Sequence, residues 1–201
     1  MLALIALLLS ADTGRAEAPG DIVAVTDERF GQPIAPIFLL PRPDVRADLQ
    51  LNPRQVAGAR EMAGRLADRL LAMKNRSEPA SRSEMREIDE AMATWLRREL
   101  SPVQLDRLSE VSLQWEGASA LRHPSVAEYL VLGKPQRNRI HELLVDRDRR
   151  QAGGALGPGE FDRISREVLA VLTPDQLTRW REMLGPPCRF TIAQHDPTTR
   201  R

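Results

Sequence analysis

At 201 residues, with 42% apolar and 28% charged side chains, the chain has the make-up of a globular protein of one compact domain or two small ones. Its formal net charge of +1 excludes a global field that would recruit nucleic acid or a membrane surface. Only four Phe, three Trp and one Tyr are present, which suits a thin core of Leu, Ala, Met and Val between helices and argues against a β-sandwich or barrel.

Residues 1–18 read as a secretory signal peptide: an apolar run over residues 2–9, then small and polar residues ending Ala16-Glu17-Ala18. The run is far short of the roughly 20 residues that span a bilayer, so no stable span is expected once it is removed. Residues 19–42 are irregular, because Pro19, Gly20, Gly31, Pro33, Pro36 and Pro41 forbid a long helix, and Ile22-Val23-Ala24-Val25 suits an extended segment. Ile34, Ile37, Phe38, Leu39 and Leu40 form an apolar stretch that must bury, either across the helices or against a partner.

From Pro53 a helical period takes over. Val56, Ala59, Ala63, Leu66, Leu70 and Met73 make one apolar stripe of about six turns. Ser77-Glu78-Pro79 breaks it, and Ser81 with Glu84 predicts the cap of a second helix carrying Met85, Ile88, Met92 and Trp95. The two should form an antiparallel hairpin. A third helix starts after Ser101, carries Leu105, Leu108, Ser112 and Trp115, and weakens at Gly117. A short helix follows over residues 124–130, then one over about 136–151 with Ile140, Leu143 and Leu144 apolar. Its Arg147, Arg149 and Arg150, like Arg137 and Arg139, interleave with Glu142, Asp146 and Asp148, as on a solvated face. Beyond a Gly-rich connector come a stripe of Phe161, Ile164, Val168 and Val171 and a last helix with Leu177, Trp180 and Leu184, stopped by Gly185-Pro186-Pro187. The tail over residues 186–201 is expected to be disordered. Its Cys188 is the only cysteine, so no internal disulfide can form; the thiol stays free or bridges to a second chain.

One helix-start signal recurs. In Leu51-Asn52-Pro53-Arg54-Gln55, Leu100-Ser101-Pro102-Val103-Gln104 and Leu172-Thr173-Pro174-Asp175-Gln176, an Asn, Ser or Thr sits where a side-chain oxygen can accept an orphan backbone N–H. Pro takes the first helical position, Gln can reach back to the cap residue's N–H, and Leu can staple onto the fourth helical residue. Leu132-Gly133-Lys134-Pro135-Gln136 is a degraded fourth copy. Every residue of the motif is accounted for by helix initiation. The surroundings of Leu51 and Gln55 repeat at Leu132 and Gln136, and those of Ser101 and Gln104 at Thr173 and Gln176, so the chain reads as two related helical-hairpin units of about three helices each, over 43–120 and 121–185.

No catalytic, cofactor or metal site is legible. His123, His141 and His195 lack a second His or Cys at ligand spacing, and there is no phosphate loop, nucleophile elbow or His-Glu helix signature. The chain is therefore read as a non-enzyme without cofactors. Apolar surface is the remaining candidate: Met62, Met73, Met85 and Met92 could line a shallow protein-binding face, since Met adapts to varied apolar partners, although core filling is the favoured reading of them.

An exported helical chain with Leu-Thr-x-x-Gln-type helix starts resembles the Spy/CpxP family of periplasmic stress proteins, Leu172-Thr173-Pro174-Asp175-Gln176 matching its motif completely and residues 51–55 and 100–104 with Asn or Ser for Thr. The resemblance implies a helical cradle, commonly dimeric, that holds unfolding clients or senses envelope stress without ATP. The expectation is thus an all-α periplasmic or otherwise exported protein-binding module, chaperone-like or a stress adaptor, whose partners are unfolded or envelope proteins. The alternatives are a metal or stress sensor and a structural oligomeric component.

Overall fold

The computed structural model describes residues 35–73, 78–157 and 159–190, without the side chains of 78–81. The leader expected over 1–18, the extended segment expected at Ile22-Val23-Ala24-Val25, Ile34 of the apolar stretch, and His195 lie outside the described residues. Within them all regular structure is helical: a 3-10 turn at Pro36–Phe38, then α1 (Pro43–Asp48), α2 (Pro53–Ala72), α3 (Glu78–Glu99), α4 (Pro102–Glu116), a second 3-10 segment (Gly117–Arg122), α5 (Pro124–Tyr129), α6 (Lys134–Ala152), α7 (Glu160–Leu169) and α8 (Pro174–Leu184).

The stripe on α2 faces inward as the period requires, with Ala59, Ala63, Leu66 and Leu70 buried, joined by Met62 and Ala67. Each large aliphatic side chain so buried contributes roughly 1.5–3 kcal/mol. Gly58 lets α3 approach closely: a Cβ there would lie 3.2 Å from the Trp95 ring. α3 starts at Glu78, four residues before the Arg82 that a Ser81 cap with Glu84 predicts. Pro79 sits in its first turn, where its missing N–H leaves no bond unmade. Glu84 is consequently past the cap region, and its carboxylate accepts from Arg69 of α2 at 2.6 Å.

The apolar stretch at Ile37, Phe38, Leu39 and Leu40 lies across the helices and is buried. It leads into α1, a helix too short to show a period in the sequence. α1 closes with Leu51 N–H donating to the Arg46 carbonyl at 3.0 Å, which needs Gln50 at φ 50°. The same closure follows α5, where Leu132 N–H donates to Ala127 at 2.9 Å and Val131 takes φ 52°.

Buried apolar residues form two clusters. One runs from Ile37 to Trp115 and is built by residues 37–40 and α1 to α4; the other runs from Ala118 to Trp180 and is built by the second 3-10 segment and α5 to α8. Trp95, Trp115 and Trp180 are all core residues. α4 continues from the first cluster to the second, and α8 packs along it.

Two expectations are corrected. Residues 186–190 of the tail are docked: the Gln114 side-chain amide donates to the carbonyls of Leu184 and Pro186, and its oxygen accepts from Cys188 N–H at 2.7 Å. Phe190 then packs edge-on against Trp115, ring centres 5.4 Å apart. Gly185 makes the approach feasible, with φ 61° and Glu110 filling the space a Cβ would need. Arg147, expected on a solvated face, is fully buried. It donates to Ser119 Oγ at 2.8 Å and to Asp148 Oδ1 at 2.6 Å, and stacks over Phe161, so its charge is both paired and hydrogen-bonded.

Candidate functional site

The recurrent motif forms the capping boxes its residues predict. Asn52 Oδ1 accepts from Gln55 N–H at 2.9 Å while Gln55 Oε1 accepts from Asn52 N–H at 3.0 Å. Ser101 with Gln104 and Thr173 with Gln176 repeat this. Gly133, without a side chain, keeps only the Gln136 half, at 3.0 Å. Leu100, Leu132 and Leu172 are buried, and Leu51 is partly so.

The sequence does not reveal what the other end of each amide does. Gln55 Nε2 donates to the Glu99 carbonyl at the end of α3 (2.7 Å) and to Gln104 Oε1 (3.0 Å). Gln104 Nε2 donates to the Leu49 carbonyl after α1 (3.2 Å) and back to Gln55 Oε1 (3.4 Å). Gln136 and Gln176 make the equivalent pair: Gln136 Nε2 reaches Val171 O and Gln176 Oε1, and Gln176 Nε2 reaches Leu130 O and Gln136 Oε1. Each pair ties the root of a hairpin, α2–α3 or α6–α7, to the helix that follows. The amides are spent on the fold and leave the motif no chemistry of its own.

The concave feature with ligand-binding character is a groove of about 650 Å³, within the range of ligand sites. Leu70 of α2, Met85 and Met92 of α3 and Leu108 of α4 form much of its apolar wall, with Phe38 and Met183 at other edges. Two of the four methionines singled out from sequence thus come together here. Met62 is buried in the first cluster beside Arg65, and Met73 packs against that cluster outside the groove.

The groove's polar lining is sparse. Asp89 is exposed, Glu116 is buried, and His123 Nε2 lies 2.5 Å from Glu116 Oε2. That hydrogen bond holds His123 above its ordinary pKa of 6.5, against burial and the charge of Arg122. The pairing of the two is not legible in the sequence, since seven positions and a 3-10 segment separate them.

His141 is exposed on α6 and does not line the groove. Among the described residues, no three His, Cys, Asp or Glu side chains gather as metal ligands, and no helix is long and apolar enough to cross a membrane. The half-buried Cys188 is not in a disulfide; burial, with Asp48 and Asp44 nearby, pushes its thiol pKa up to about 11, so it is a poor nucleophile at neutral pH. Comparison with family models, curated proteins and solved structures found no match.

Proposed function

We propose that the chain is a protein-binding module that holds apolar segments of other polypeptides in the α2–α3–α4 groove without ATP, as a chaperone-like or stress-adaptor component of the cell envelope. The observation that carries this is an open groove walled by Leu70, Met85, Met92 and Leu108. The leader-like residues 1–18 and the Spy/CpxP-like helix starts support the envelope setting. The equivalent Gln pairs and the positive φ at both Gln50 and Val131 support reading residues 43–120 and 121–185 as two related units, of which the first supplies most of the groove.

The test is suppression of light scattering by a chemically unfolded client at equal molar ratio. Wild type should suppress it, and Met92→Asp should lose most of that effect while keeping its helical circular dichroism. Client scattering left unchanged by the wild-type chain would sink the proposal.

A further inference from the structure

The groove lining holds two carboxylates, Asp89 and Glu116, and one histidine, His123, paired with Glu116. Asp89 stands at its α3 edge and Glu116 at the C-terminal end of α4, while among the described residues that line it none is Lys or Arg. Three arginines adjoining lining residues are paired with other carboxylates: Arg69 with Glu84 and Glu87, Arg107 with Asp48 and Glu110, Arg122 with Asp148. The C-terminal end of α4 adds the partial negative charge of a helix terminus beside Glu116. His123 offsets Glu116 only when protonated. An apolar wall also excludes water, which strengthens whatever charge interaction takes place against it.

We propose that this groove selects apolar segments that carry a basic side chain, with Asp89 and Glu116 as the groups that attract it. The inference rests on the groove being the client site. An apolar stretch flanked by Lys or Arg would bury its aliphatic part against Met85, Met92 and Leu108 and turn its cation toward the carboxylates of the lining, Asp89 and Glu116. An acidic segment of equal hydrophobicity would bring like charges together in a poorly hydrated space, a juxtaposition that interfaces use to reject wrong partners.

Three fluorescent peptides of one apolar sequence, differing only in a central Lys, Gln or Glu, test this by anisotropy against the full chain near pH 7.5. The Lys peptide should bind about tenfold tighter than the Gln peptide, and the Glu peptide weakest. Asp89→Asn, a change at an exposed position, should narrow the Lys-to-Glu spread several-fold, and adding Glu116→Gln should nearly abolish it. Equal affinity for all three peptides, a preference for Glu, or a Lys preference undiminished in the double variant would each overturn the charge selection while leaving the groove reading intact. Binding of none of the three would overturn the groove reading, and the selection with it.

Discussion

Gln55 makes four polar contacts with one amide: it accepts from Asn52 N–H and Gln104 Nε2, and donates to Glu99 O and Gln104 Oε1. Replacing it with Glu keeps the acceptors and removes both donors. A carboxylate would then face the Glu99 carbonyl and the Gln104 amide oxygen at a buried position. Gln55→Glu should therefore cost about 2–3 kcal/mol, read as a lower urea midpoint with little change in slope. The capping half of this residue was legible in the sequence because its partner is three residues away. The other half was not, since its partners lie 44 and 49 residues on and nothing local encodes them. Val131 makes the same point from the backbone. A β-branched, 71% exposed residue at φ 52° is forced there by the closure after α5, which a sequence reading has no means to see.

Long elements were legible where a period had room to repeat. The stripes on α2, α4, α6 and α8 fall on buried faces, whereas the six-residue α1 has no room for a period and the start of α3 was displaced by a cap-like Ser81 and Glu84. The tail escaped notice for a different reason: Gly185-Pro186-Pro187 ends a helix but does not say where the chain goes next. Its docking has a measurable consequence. Phe190 and the Gln114 bonds keep Cys188 half-buried, so its thiol is both shielded and little ionised. Phe190→Ala should raise the rate of Cys188 alkylation at pH 8 severalfold, followed by mass spectrometry. An unchanged rate would mean that α4 and α1 alone shield the thiol.

At the scale of the molecule, the groove was only half legible. The methionines on α3 signalled apolar surface, but the convergence of the 3-10 turn, α4, α5 and α8 on them is a matter of tertiary geometry. The clasp between Glu116 and His123 joins the end of α4 to the start of α5 beside the boundary between the two clusters, with Arg122 and its partner Asp148 of α6 close by. Because the folded pKa of His123 is raised above 6.5, its contribution to stability is complete below that pH and is lost as pH rises through the folded value. The His123 side chain is 41% exposed, so the effect is small: between pH 6 and pH 9 the melting temperature should fall by about 1–2 °C more in wild type than in His123→Gln. Calorimetric scans of the two proteins across that range measure the difference.

The paired glutamines separate what can vary in this architecture from what cannot. One pair joins residues 49 apart and the other residues 40 apart, with the same two amides facing each other. Arm length is therefore adjustable in a way the root is not: residues can be added to or deleted from a hairpin if outgoing and returning helices change together. An insertion in α2 alone would move Leu66 and Leu70 out of register with Met85 and Met92, whereas matched insertions would lengthen the groove and leave its root unchanged. Evolution, or a designer, could thus scale the groove without rebuilding the fold that forms it.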